Sequence, residues 1–287
     1  MAGRDTDREW RFVTVPYWRA SEALHDDVLL GEVPLQTDLP RRIDGVAMRR
    51  VGRGGPPPGP FYLSGGSISS QEKKHWLSQL PGARVTVIQT KVEPVGFSVL
   101  GQTLVSTVLL PRRYQGCRAT GIALGTAADA DLARILPTVS PQLEIGVWPV
   151  DDAGPRPTRE YPRAPQLADA LEDHLNLGRV PQPVRLTVFE AAEALFISGD
   201  PAITQVEQLR GRDVVVVHTI GKATNLPVVG HAVFSAALIR EHAPRSLRSL
   251  IVSTARDTAV EAVAREFGVE TLTSNQIETY ALAQASH

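Results

Sequence analysis

The chain has 287 residues, 43% of them hydrophobic and 21% charged, with a formal net charge of −1, which suits a globular chain long enough for two domains. Apolar-rich runs such as Val85–Ile88, Val214–Val217 and Leu250–Val252 fall far short of the roughly 20 residues of a membrane span, and the balanced charge excludes a global basic field. A single cysteine, Cys117, excludes an internal disulfide and, with a charged N-terminus lacking an apolar signal core, points to the reducing cytoplasm.

Taken in chain order, the first expected element is a helix over YWRASEALHDDVLL (17–30), followed by a strand around RRIDGVAM (41–48). GRGGPPPGP (52–60) reads as an exposed loop, and Ser64-Gly65-Gly66-Ser67 as a turn. VTVIQT (85–90) is a β-rich run suited to a strand buried on both faces. A helix over FSVLGQTLVSTVLL, a strand at ATGIALGT, a helix at ADLARIL and a short strand at LEIGVWPV come next. DDAGPRPTREYPRAPQ (151–166) has the composition of a linker. Beyond it are expected a helix at QLADALEDHLNL and strands at VRLTVFEA and ALFISG. The remainder, VVVVHT, LPVVGHAVFSAALI, LRSLIVST, AVEAVAREFG and VETLTS, repeats the strand–helix–strand–helix–strand order of the first half.

That repetition extends to residue identity. Residues 79–110 align without a gap on 208–239, and ten of the thirty-two positions are identical, among them Gly82/Gly211, Val85/Val214, Thr90/Thr219, Gly101/Gly230 and Ser106/Ser235. About two identities are expected by chance from average composition. The fold expected is therefore α/β, two tandem units each with a mixed sheet flanked by helices: 1–150, a linker at 151–166, and 167–287. The strand–helix–strand connection implies parallel pairing at that point.

Charge is unequal between the halves. Residues 1–150 hold 17 Lys/Arg against 14 Asp/Glu, and residues 151–287 hold 13 against 17. Arg41, Arg42, Arg49, Arg50 and Arg53, with Arg112, Arg113 and Arg118, form either a solvated surface or a phosphate-facing patch, and Arg41 and Arg42 are the nearest to the candidate chemistry. Only four lysines stand against 26 arginines: Lys73, Lys74, Lys91 and Lys222. A lysine kept in that background suits a role needing a compact point charge, and two of the four lie just past equivalent strands.

Strand 85–90 leads into Lys91, and Asp44 lies on the preceding strand. Residues i and i+2 of a strand share a face, so Gln89 and Lys91 are expected to project together. An acid from one strand beside a lysine from its neighbour suits phosphodiester cleavage, the acid holding Mg²⁺ and the lysine offsetting developing charge. On Asp44, on Gln89-Thr90-Lys91 and on the following helix with Gly101-Gln102, the chain over roughly 20–150 resembles the PD-(D/E)xK nuclease superfamily, the restriction-endonuclease-like fold. The resemblance implies Asp44 as a metal ligand, Lys91 as the catalytic lysine, Gln89 in the place of the second acid, Mg²⁺ as cofactor and DNA as partner. Glu22 on the first helix, or Glu32, is available as a compensating carboxylate.

The second copy lacks that constellation. His218 replaces Gln89, Ile220 replaces Lys91, Lys222 falls two residues later on an expected loop, and VRLTVFE, with Thr187 and Glu190, is the expected counterpart of the Asp44 strand. Gln89 and Gln102 are both replaced by histidine, His218 and His231, which suits a strand end and a helix face meeting across one pocket, lined by hydrogen-bonded histidines or holding a metal with Glu190 or His242. No GxGxxG, P-loop or GxSxG motif occurs, so no nucleotide cofactor is expected. Two functions follow: a Mg²⁺-dependent nuclease acting on DNA from the first unit, or an inactive nuclease-fold pseudo-dimer that binds nucleic acid, or a protein through its second unit.

Overall fold

A computed structural model describes residues 9–279, apart from 26, 36, 50–59, 64–68, 151–161 and 173. The loop at 52–59, Arg50, Arg53, the whole 64–67 turn and most of the linker thus lie outside the described residues. The chain forms two compact units. Unit 1 comprises Met1–Val95, Gln102–Ala128 and Ser140–Arg156, and unit 2 comprises Gly96–Gly101, Asp129–Val139 and Pro157–His287. Along the chain, segments of the two units alternate.

Unit 1 opens with a π-helical stretch, Trp10–Thr14, that continues as α1 (Val15–Ala20). The strands are β1 (Val28–Leu35), β2 (Arg41–Met48), β3 (Phe61–Tyr62), β4 (Arg84–Thr90), β5 (Arg118–Gly125) and β6 (Leu143–Val147), in the sheet order β3-β1-β2-β4-β5-β6. Helix α2 (Ser70–Ser78) precedes β4; α3 (Phe97–Arg113), whose first residues to Gly101 count with unit 2, joins β4 to β5, and α4 (Ala130–Val139), a segment of unit 2, joins β5 to β6 along the chain. The pairs β1–β2 and β2–β4 are antiparallel, whereas β4–β5 and β5–β6 are parallel. Burial follows the pleat. Trp10, Val13 and Trp18 of the N-terminal helical segment pack on Leu29, Ala47, Ile88, Ile122 and Leu124, and α3 covers the other face, where its Ser106 meets Gln89.

The expected helix over 17–30 is corrected: it ends at Ala20, a turn follows, and Val28, Leu29 and Leu30 open β1. Three successive fully buried apolar residues suit a strand covered on both faces as well as a helix, and Gly31 and Pro34 in VLLGEVPL oppose helix.

Unit 2 contains α5 (Pro165–Glu172), β7 (Gly178–Arg179), β8 (Ala194–Ile197), β9 (Asp213–Ala223), α6 (Leu226–Arg240), β10 (Ser246–Ala255), α7 (Thr258–Glu266) and β11 (Val269–Thr273), with the sheet order β11-β10-β9-β8-β7. Its pairings are antiparallel for β7–β8 and β8–β9 and parallel for β9–β10 and β10–β11. That is the pairing pattern of β1-β2-β4-β5-β6, so the duplication holds in topology as well as in residues. Helix α6 is apolar on nearly every side and almost wholly buried, as expected for a central crossover helix. Asn225 caps it by accepting the Val228 N–H at 3.0 Å. Among the described residues no helix is long and apolar enough to cross a membrane.

Candidate functional site

The candidate site of unit 1 is organised around one residue, Thr90, at the end of β4. Ladder pairing between β2 and β4 stops at Gly45 and Ile88, which leaves Asp44 opposite Gln89. There the Asp44 carboxylate accepts the Thr90 N–H at 2.9 Å, taking over from a backbone carbonyl. The Thr90 hydroxyl lies 2.8 Å from that of Thr14 in the π-helical stretch, both buried, and Thr14 Oγ1 also donates to the Glu9 carbonyl at 3.3 Å. Lys91, the next residue, keeps a backbone bond to the Leu124 carbonyl and places its ammonium 3.4 Å from Glu9 Oε1. Strand end, neighbouring acid and N-terminal helix are thus tied together through consecutive atoms of Thr90 and Lys91.

A second carboxylate faces Asp44 from the other side. Gly31 pairs with Gly45 and Val33 with Ile43, so Glu32 stands opposite Asp44 but out of the ladder, with a φ of 61°. A non-glycine residue held in that region inside a strand is strained, a condition concentrated at functional sites. The Glu32 side chain is 12% exposed and accepts from Arg42, 3.3 Å away. Burial raises the Asp44 carboxyl to about 6 against the lowering effects of the Thr90 N–H and the Lys91 charge, and Glu32 adds to the rise.

Of the residues singled out from sequence, Asp44, Lys91 and Glu32 meet at this strand end. Gln89 does not join them: it is 2% exposed and donates its amide to Ser106 on α3 at 2.9 Å. The expectation that Gln89 and Lys91 project together is corrected, because Lys91 lies past the end of the strand and its ammonium turns to Glu9 on the face opposite α3. Glu22 sits in the exposed turn after α1, and Gln102 is half-buried on α3. Arg42 is engaged by Glu32, and Arg41 is half-buried. Glu9 was missed; it precedes Lys91 by 82 residues, and no spacing pattern links them.

Unit 2 carries the same frame with different side chains. Ala194 pairs with Val217, which puts Glu193 opposite His218 as Asp44 is opposite Gln89. Glu193 Oε1 accepts from the Thr219 N–H at 3.2 Å and from its hydroxyl at 2.6 Å. Glu193, and not a residue of VRLTVFE, is therefore the counterpart of Asp44. Residues 184–191 do not form the expected strand; an isolated bridge joins Arg185 to Ala191, and the Thr187 hydroxyl accepts the N–H groups of Phe189 and Glu190, both at 3.1 Å. Glu190 instead accepts the Phe97 N–H at 2.8 Å. Lys222 is exposed on β9, which continues through the expected loop, and Ile220 is wholly buried.

His218 is fully buried, its Nδ1 3.6 Å from Glu193 Oε2 and its ring centroid 6.0 Å from that of His231. The two histidines do meet, as the paired replacement suggested, and the edge of Phe97 closes on His231. Among the described residues, however, no group of three or more His, Cys, Asp or Glu is disposed to hold a metal ion. In unit 1 the equivalent positions are joined by the Gln89–Ser106 bond; in unit 2, neither His218 nor Ser235 has a hydrogen-bond partner among the described residues.

Burial drives the His218 ring below its ordinary range, towards the neutral form, outweighing the pull of Glu193 towards the charged one; the charges of His231 and Arg163 act with burial. Burial also disfavours a charged Glu193, but His218, the Thr219 donors and Arg163 outweigh it and hold the carboxyl well below the usual range. A histidine depressed in the folded state contributes stability that is present above its unfolded value of about 6.5 and is lost as pH falls below it. The thermal midpoint is expected to drop between pH 7 and pH 5, and His218→Gln, which supplies the amide used at Gln89, should flatten that slope. An unchanged slope in the variant would assign it elsewhere.

Compared with known proteins, the chain matches no protein-family model, no curated protein and no solved structure.

Proposed function

We propose that unit 1 is a metal-dependent phosphodiesterase of the restriction-endonuclease-like kind, acting on DNA through Asp44, Glu32 and Lys91. The observation that carries this reading is the junction at Thr90, where an acid on β2 and a lysine following β4 are fixed to one residue. Two antiparallel pairs followed by a parallel crossover, with α3 between β4 and β5, agree with the resemblance drawn from sequence. The donor set fits Mg²⁺, which takes one or two carboxylates and fills its remaining positions with water and substrate phosphate. Asp44 has one oxygen engaged by Thr90, and Glu32 is held by Arg42, whose side chain is 51% exposed. Glu32 takes the place that Gln89, committed to Ser106, does not fill.

When bound, the metal polarises the phosphate and lowers the pKa of a coordinated water. Lys91 offsets charge on the phosphate oxygens as water adds to phosphorus and the ester P–O bond breaks, the leaving oxygen taking up a proton. Glu9 and the Thr14–Thr90 contact hold Lys91 in position. Asp44 is ionised above about pH 6, so cleavage should rise through that pH.

A second reading, an inactive nuclease-fold module that binds nucleic acid or protein, draws support from Ile220, which shows that this frame persists without a lysine. Cleavage of supercoiled plasmid and single-stranded DNA in Mg²⁺ or Mn²⁺ separates the two. The wild type is expected to cut, and Lys91→Ala to cut slower by roughly 100-fold or more. Equal background in both would abandon the first reading for the second.

A further inference from the structure

The end of the unit 1 sheet remote from Asp44 carries a row of arginines. Arg84 pairs with Arg118 across β4 and β5, and Arg49, one residue past β2, extends the row by donating its N–H to the Arg84 carbonyl at 3.4 Å. Arg49 follows the pleat of Gly45 and Ala47, Arg84 that of Thr86 and Ile88, and Arg118 that of Thr120 and Ile122. All three side chains therefore rise on one face. It is the face that the N-terminal helical segment covers at Ile88 and Ile122 but leaves open here, where Thr120 is exposed and Thr86 half-buried, their hydroxyls 3.3 Å apart. The pairing of β6 begins only at Gly121, so no strand covers the outer side of Arg118. All three arginines are exposed, and none forms an ion pair with a described residue.

Like charges opposite each other on neighbouring strands are destabilising. Three in a row, unneutralised by described residues, suit an anionic partner. With strands about 4.8 Å apart, the guanidinium groups span roughly 10 Å of flat surface, a span that one to three successive phosphates of a nucleic-acid strand bridge. Arginine grips phosphate bidentately, and threonine hydroxyls are common phosphate donors. Among the described residues no exposed large apolar side chain accompanies the row to enter a bilayer. We propose that Arg49, Arg84 and Arg118, with Thr86 and Thr120, form a sequence-independent contact to the phosphate backbone of a nucleic acid. The strands place this contact about 20 Å from the Thr90 junction, six residues along β4 at roughly 3.3 Å each. It deepens the reading of unit 1 as acting on DNA by naming where the strand is held, yet it does not require cleavage.

The test is fluorescence anisotropy of a labelled 20-nucleotide single strand with the intact protein in EDTA, at 50 to 200 mM salt. Three lost phosphate contacts should reduce the slope of log affinity against log salt by about 2 in the triple variant Arg49→Gln, Arg84→Gln, Arg118→Gln. Affinity at 50 mM salt should fall at least tenfold, with an unchanged melting curve. Arg210→Gln, on an exposed arginine of unit 2, should bind like the wild type. Equal slopes for wild type and triple variant would overturn the proposal, as would a wild type that binds phosphatidylserine vesicles through these arginines and not the strand. Because metal is absent, a protein that binds but never cleaves upholds this surface and fails only the catalytic reading.

Discussion

Replacing Asp44 by Asn is expected to make the protein more stable at pH 7.5 while removing its response to divalent metal. The carboxyl is raised to about 6 by burial and, in lesser part, by Glu32. A raised acid contributes stability that is fully present below its unfolded value, near 4, and is lost as pH rises through about 6. At pH 7.5 the folded protein therefore carries an unfavourable charge, on the order of 1–3 kcal/mol at 1.36 kcal/mol per unit. Asparagine keeps an oxygen to accept the Thr90 N–H and removes the charge. The midpoint should rise by about 2–6 °C at pH 7.5, and the gain should shrink towards zero near pH 4. In millimolar Mg²⁺ the order should narrow or reverse, because a ligand of the folded state stabilises only the protein that binds it. Calorimetry at both pH values, with and without metal, reads all four arms. A variant less stable than wild type at pH 7.5 would show that the Asp44 charge is well satisfied and would remove the argument for a latent cation site.

The largest structural effect is expected at Gly230. A Cβ there would lie 2.1 Å from the Phe97 carbonyl oxygen and 2.5 Å from the Gly101 Cα, and a Cβ on Gly101 would lie 2.3 Å from the Gly230 Cα. These contacts are to backbone, so no side-chain rotation relieves them, and helices packed at interior density must separate. Gly230→Ala should cost about 3 kcal/mol or more, at or above the usual range for overpacking, whereas Gly211→Asn, at a φ of 72° with nothing within 4 Å, should cost far less. Urea unfolding of the two variants makes the comparison. Equal small losses would mean that the crossing yields easily.

Much of the frame was legible from periodicity, because VTVIQT, VVVVHT and the crossover helices are strong local patterns, and the identities across the repeat placed Thr90 and Thr219 at equivalent strand ends. Val28–Leu30 reads as the end of a helix because the start of β1, buried on both faces, has no alternation to reveal it. VRLTVFE was read as a strand although prolines at 181 and 183 precede it and the Thr187 hydroxyl closes a turn. Glu193 was overlooked because its role depends on register: only the pairing of Ala194 with Val217 brings it opposite His218. Glu9 depends on tertiary packing alone.

The unequal lengths of β4 and β9 bear on whether the second copy can regain what it lacks. β4 stops at Thr90, leaving Lys91 partly exposed at the rim, whereas β9 runs on through Ala223 and keeps Ile220 in register with Ser253. Ile220→Lys would therefore insert an ammonium into packed interior, where it would be forced neutral or would open the strand. β9 would have to end at Thr219, as β4 ends at Thr90, before a lysine at 220 could reach the rim as Lys91 does. Strand length thus decides what position 220 can present: β4 delivers Lys91 to the rim because it ends there, and β9 encloses Ile220 because it does not.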